Sequence, residues 1–249
     1  GPAMCDTCGC KPLARSRVYQ FLSPGFSYPE PALAGFLKSN LPDTENWLSL
    51  LEDRPGLEAL QALKPVIMSC SPDELESEYV QTFGHTIGNE CPPYEAEYDQ
   101  AHIFQKSHAL ADIAGFYKAF GLELGPDFKD RLDHISVELE FMHFLCLKEA
   151  YALDKGHTEE QLAVCRETQT KFLGEHLGLW VFAFAERLDK KATGRLFELM
   201  AHLLSAFLTF EMRSLGLEPG KVRSLGILEP LEQETFDCEA CPLVIPSIE

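Results

Sequence analysis

Leu132-Asp133-His134-Ile135-Ser136-Val137-Glu138-Leu139-Glu140-Phe141-Met142-His143-Phe144-Leu145-Cys146 is the stretch whose periodicity decides the fold. Leu132, Ile135, Leu139, Met142 and Cys146 recur at intervals of three and four, the repeat that lines up side chains on one face of an α-helix. His134 and Glu138 stand one turn apart beside that stripe, and Asp133, Ser136, Glu140 and His143 fall on a separate arc. So many ionisable groups flanking a core stripe are unusual for a bundle helix. The spacing leaves two readings open. Either Asp133 and His134 are surface residues and Glu138 pairs locally with His134, or the helix carries a polar recognition site.

The same spacing runs outward through most of the chain, with no sustained alternation of period two, so the fold is expected to be all-α. The pattern predicts a single-domain bundle of about ten helices: 11–22, 31–39, 43–51, 57–69, 71–83, 104–120, 126–153, 159–173, 177–188 and 193–215. The breaks fall at Ser23-Pro24-Gly25, Tyr28-Pro29 and Arg54-Pro55-Gly56. Ser71 is placed to cap the helix that opens Pro72-Asp73-Glu74, with two acids at the positive end of its dipole. Residues 11–216 form the expected domain, flanked by irregular, cysteine-containing segments 4–10 and 217–249. Between them, residues 85–99 make a long loop stiffened by Pro92-Pro93, and long loops inside compact domains tend to be functional.

Bulk composition narrows the function. The 249 residues are 45% apolar and 24% charged, enough to bury a substantial core. A net charge of -18, from 39 acids against 21 bases, argues against nucleic acid and suits a basic partner. No apolar run approaches the ~18 residues needed to cross a bilayer, so no stable membrane insertion is expected. The amino-terminal residues show no basic segment followed by an apolar core. Nine cysteines, an odd count, then read as reduced thiols, and the expected location is cytoplasmic.

The chemistry-bearing residues cluster in two tandem motifs. The first is Glu78-Tyr79 with Phe83, followed by the loop Cys91-Pro92-Pro93-Tyr94-Glu95-Ala96-Glu97-Tyr98; the second is Leu132-Asp133-His134-Ile135 with Glu138-Leu139-Glu140-Phe141. Tyr94 and Tyr98 can plug a gap between helices, or they can take an apolar peptide segment while Glu95 and Glu97 take a guanidinium. In order and spacing these motifs resemble the TorD/DmsD/NarJ family of chaperones for molybdenum enzymes. Phe172-Leu173-x-Glu175-His176-Leu177-x2-Trp180 and Phe197-x3-Ala201-x-Leu203-Leu204-x2-Phe207-Leu208 are similar to the second half of that family's pattern.

The resemblance implies binding and no catalysis. The implied partner is the apo catalytic subunit of a molybdopterin oxidoreductase of the dimethyl-sulfoxide-reductase type, often held through its twin-arginine leader peptide until its cofactor is inserted. The implied peptide-binding residues are Glu78, Tyr79, Pro93, Tyr94, Glu95, Tyr98, Asp133, His134 and Glu138. A monomer or a dimer fits the resemblance equally.

The resemblance does not account for the terminal cysteines. Cys5, Cys8 and Cys10 at one end and Cys238 and Cys241 at the other supply two Cys-x2-Cys units and a fifth thiol. Thiolates spaced this way grip zinc or an iron-sulfur cluster if the two ends meet; a redox pair and idle thiols remain alternatives. They also define a different-class reading, a helical metal- or redox-dependent enzyme or sensor. Glu140-x2-His143 has the spacing of half a di-iron site, but no second copy is present. Gly216-Leu217-Glu218-Pro219-Gly220-Lys221 is one residue short of a phosphate loop and lacks its hydroxyl residue.

Overall fold

The computed structural model describes residues 10–84, 91–98, 103–123, 125 and 131–219, with the backbone alone for residues 103–106. Among the described residues the regular structure is all helical, with no strand and a single isolated bridge between Tyr94 and His134. The α-helical segments are α1 (Cys10–Leu22), α2 (Leu33–Leu50), α3 (Arg54–Ser69), α4 (Pro72–Phe83), α5 (Ile103–Ala119), α6 (Ile135–Asp154), α7 (Glu159–Phe172), α8 (Gly178–Lys191) and α9 (Arg195–Ser214). None is long and apolar enough to cross a membrane.

Local chemistry sets the starts. The Ser71 hydroxyl accepts the Glu74 N–H at 3.2 Å and the Glu74 carboxylate accepts the Ser71 N–H at 2.9 Å, a reciprocal cap that opens α4 as predicted. Thr158 and Gln161 repeat the device on α7, and Asp53 caps α3 by accepting the Gly56 N–H.

Three boundaries differ from the sequence pattern. The predicted helices 31–39 and 43–51 are one, because α2 runs through Pro42. Pro42 is exposed, so its ring meets no packed neighbour, and the one helical bond it forfeits is that to the Lys38 carbonyl. The predicted helix 126–153 begins only at Ile135, since Asp133 lies in a turn with its carbonyl bonded to Glu95 and the backbone of His134 is extended; residues 126–130 lie outside the described ones. The predicted helices 159–173 and 177–188 are joined, because a π-helical turn at Leu173–Leu177 carries α7 directly into α8. Hence about ten predicted helices become nine segments, two of them forming a continuous rod.

The helices close a circuit around one core. Contacts run α8 to α9, α9 to α3, α3 to α2, α2 to α1, α1 to α6 and α6 to α7, and the π turn returns the chain to α8. Gly178 allows the last approach: a Cβ there would fall 2.4 Å from Leu173 O and 2.9 Å from the Met212 side chain. Inside lie Tyr19, Phe21, Phe26, Phe172, Trp180, Phe184, Phe197 and Phe207, all essentially inaccessible. Edge-to-face contacts such as Tyr19 with Phe207 at 5.0 Å add directional preference to the burial.

Candidate functional site

The loop segment 91–98 is fastened to the start of α6 by its backbone. Asp133 O accepts the Glu95 N–H at 3.0 Å and Pro93 O accepts the Ile135 N–H at 2.9 Å, making the short antiparallel bridge. Spending Asp133 and His134 on this pairing is what delays α6. His134 then caps the helix, its Nδ1 accepting the Ser136 N–H at 3.0 Å, and presents its ring edge to Tyr94 at 5.2 Å.

Asp133 is fully buried and saturated. Its Oδ2 accepts the Ala96 N–H at 3.0 Å, and Arg131 donates to both oxygens, Nε to Oδ1 at 2.9 Å and a terminal nitrogen to Oδ2 at 2.8 Å. The other terminal nitrogen of Arg131 donates to Glu97 at 3.1 Å, and the guanidinium lies 4.4 Å from the Tyr94 ring centre. Bidentate carboxylate plus aromatic face is the arrangement that selects arginine over lysine. Here it holds an arginine of the same chain, with the Arg131 side chain 40% exposed.

Deeper in, a chain of acids and one histidine crosses from the loop to three helices. Trp180 of α8 donates its indole N–H to Glu138 Oε1 at 3.2 Å. Glu138 also faces the carboxyl group of Glu95 in the loop. Glu95 Oε2 lies 2.9 Å from His176 Nδ1 in the π turn, and His176 Nε2 lies 2.5 Å from Asp112 Oδ2 on α5. Burial, then the Glu95 charge, push the Glu138 acid well above its ordinary range. For His176, burial works against the charge, but Asp112 and Glu95 outweigh it and lift the imidazole to about 9. A π turn frequently marks a functional position, and this one aims His176 inward between the rings of Phe116 and Phe172, each 5.5 Å away.

The two parts of the first motif, the end of α4 and the 91–98 loop, meet through an aromatic bridge. Tyr79 contacts Tyr28, Phe83 and Phe197 at 5.5, 4.9 and 6.1 Å; Phe83 reaches Phe184, which touches Tyr98, itself 5.2 Å from Trp180. Arg187 stands over Tyr98 at 4.6 Å. Cys91 is buried beside it, its thiol donating to Phe184 O at 3.8 Å and pushed up to about 12 by burial. Thus Pro93, Tyr94, Glu95, Tyr98, Asp133, His134 and Glu138 are brought together, whereas Glu78 lies elsewhere: it accepts the Leu196 N–H at the start of α9. A Cβ at Gly194, preceding that helix, would fall 2.3 Å from Glu78 Oε1 and push the tip of that side chain aside.

The local His134–Glu138 pairing does not form, since each has the other partners described. Glu140 and His143 build no joint site either; His143 Nδ1 is 2.7 Å from the Ser16 hydroxyl on α1 and burial lowers its basicity. Of the terminal cysteines, Cys10 opens α1 half-buried, while Cys5, Cys8, Cys238 and Cys241 lie outside the described residues. Among the described residues, Asp189, Glu198 and His202 converge within 4.8 Å as candidate metal ligands, but His202 is bonded to Asp189 and Glu198 to Arg195. Sequence reasoning missed Arg131, Asp112 and His176 as site members. His176 and Trp180 stand in the second-half pattern quoted above; nothing local distinguishes Asp112.

The profile of a family described as nitrate reductase delta subunit matches residues 52–186, more than half the chain and nearly all of this site. The chain belongs to that family. This is the TorD/NarJ grouping which the tandem motifs resemble. Among the family's relatives of this chain, a perchlorate reductase assembly chaperone protein of Dechloromonas aromatica (strain RCB) is 28% identical over 214 residues, covering 84% of this chain and 92% of its own. A chlorate reductase assembly chaperone protein of Ideonella dechloratans is 27% identical over 202 residues, covering 79% and 96%. A chaperone protein TorD of Salmonella schwarzengrund (strain CVM19633) is 24% identical over 200 residues, covering 78% and 88%. Family members of this kind share the length of the described helical domain, so the likeness extends well beyond the site.

Proposed function

We propose that this protein is a cytoplasmic assembly chaperone, without catalytic activity of its own, which holds the apo catalytic subunit of a molybdopterin oxidoreductase until its cofactor is in place. The observation that carries the reading is the near full-length similarity to reductase assembly chaperones. The test is the molybdenum content and activity of the molybdopterin oxidoreductase encoded nearest to this chain, produced with and without it. Equal loading in both cases overturns the proposal.

The finer reading is that a client segment bearing arginine, such as a twin-arginine leader, is taken at the Tyr94–Asp133 face. Its support is chemical: this face already satisfies a guanidinium by charge, by fork geometry and by an aromatic ring. A client arginine would displace Arg131, so Arg131→Lys, which keeps the charge but loses the fork, should tighten binding of an arginine-bearing leader measured by calorimetry. Weaker binding in that variant would remove the exchange.

The terminal thiols are a separate proposal. Cys5, Cys8, Cys10, Cys238 and Cys241 are assigned to zinc or an iron-sulfur cluster that joins the ends of the chain. Anaerobic purification with metal analysis and an absorption spectrum is the test, and a colourless, metal-free protein sinks it.

A further inference from the structure

The acid chain beneath the loop contains a pair that cannot exist as two carboxylates. Glu138 Oε2 and Glu95 Oε1 are both buried, and neither meets a donor from any other residue. Yet the two carboxyl groups adjoin, close enough to act on each other and to share a proton. Two ionised carboxylates offer acceptors alone and repel; one proton between them satisfies both orphaned oxygens at once. The proton belongs on Glu138, which is fully buried with only a neutral indole N–H for company, whereas Glu95 has the His176 ring on its other oxygen.

We propose that Glu138 is a neutral acid that donates its proton to Glu95, and that with the imidazolium of His176 and the carboxylate of Asp112 it forms a proton-held latch positioning the 91–98 loop. Trp180 fixes the orientation of Glu138 from α8, and Asp112 holds His176 from α5. Glu95 is the loop's only side chain in this chain of bonds. Releasing either proton leaves a buried oxygen facing a second acceptor, so the latch can let go without any change in the helices that surround it.

The groups around the latch favour this distribution. From α5 come Asp112 and Tyr117, whose hydroxyl donates to Leu132 O at 2.9 Å. Before α6 stands Asp133, neutralised by Arg131; α6 itself adds Glu140, and Phe116 and Phe172 wall off the imidazole. Apart from His176 on Glu95, no cation among the described residues bonds Glu138 or Glu95. The local excess of acids therefore favours binding protons, and His176 at about 9 carries one at neutral pH. The latch is independent of the client that the protein serves.

The sign is the same for both protons. A histidine whose basicity is raised from 6.5 to about 9 on folding stabilises fully below the lower value and loses that contribution as pH rises through the upper one. A buried acid raised above 4.5 likewise favours the folded, protonated state less as pH rises. The loop should therefore loosen in alkali, by up to about tenfold in its closing equilibrium per pH unit for each proton released.

Two measurements on the full chain test this. Infrared difference spectra of wild type against Glu138→Gln at neutral pH should show one protonated carboxyl group in wild type that the variant lacks; no such band, or a band that survives in the variant, overturns the assignment. Amide exchange at Glu95, Ala96 and Ile135, corrected for intrinsic chemistry, reads the latch. Wild type should lose protection as pH approaches about 9, while His176→Gln should remove that step. Glu138→Gln, whose amide N–H replaces the acid proton, should keep the loop protected at neutral pH, and Glu138→Met should lose about tenfold or more in protection there while amides of α1 are unchanged. Equal loop protection in Glu138→Gln and Glu138→Met overturns the latch, as does a wild-type alkaline step that persists in His176→Gln.

Discussion

Asp133→Ala should destabilise the protein and not merely weaken its binding to a partner. The carboxylate is buried, accepts the Ala96 N–H at 3.0 Å and takes a fork from Arg131. Losing a charged acceptor for one backbone N–H costs about 1.5 to 3 kcal/mol. The Arg131 pair adds only about 1 kcal/mol, because a guanidinium 40% exposed recovers water when its partner is removed. The sum, about 2.5 to 4 kcal/mol, is a sizeable part of the roughly 5 to 15 kcal/mol that holds a typical domain. Urea unfolding followed by circular dichroism measures it, and amide exchange shows whether the loss is local to residues 91–98 or global. Asp133→Asn keeps an acceptor for Ala96 and should fall between wild type and Ala. A double-mutant cycle with Arg131→Gln isolates the pair, with an expected coupling of about 1 kcal/mol. If Asp133→Ala unfolds at the wild-type urea concentration yet no longer binds an arginine-bearing leader, Asp133 acts through binding alone and the scaffold reasoning fails.

Other consequences can be measured without a client. Unfolding free energy should decline between about 6.5 and about 9 in wild type, since His176 holds its proton in the folded state across that window, and His176→Gln should flatten the decline. Glu78→Ala should cost about 1 kcal/mol for the lost acceptor at the start of α9, and Glu78→Gln less, in thermal unfolding. Cys91 and Cys146 should resist alkylation in the native protein and react in urea, since burial keeps both thiols protonated, Cys91 up to about 12; rapid labelling of either under native conditions, read by mass spectrometry, refutes their placement.

The all-α class was legible because the three-and-four repeat is local and recurs in nearly every helix, and the Ser71 start was legible because its capping partner is three residues away. Pro42 misled because its ring stands on an exposed face and the helix continues through it, which composition does not reveal. The start of α6 misled for a longer-range reason: His134 before it is extended between two bonds, Glu95 N–H to Asp133 O and Ile135 N–H to Pro93 O, whose partners stand some forty positions earlier. The site divides along the same line. Ionisable groups beside an apolar stripe flagged Asp133, His134 and Glu138, but not what they bond to, because Trp180 and His176 lie in the second half of the chain. Burial then separates roles that sequence merged. Asp133, Glu138 and Glu95 are sequestered and hold the loop in shape, while Arg131, Glu97, Tyr94 and Tyr98 keep surface that a partner can touch. A chaperone that must release its client gains from this division: the exposed rim can exchange one guanidinium for another while the acids beneath keep the geometry that made the rim selective.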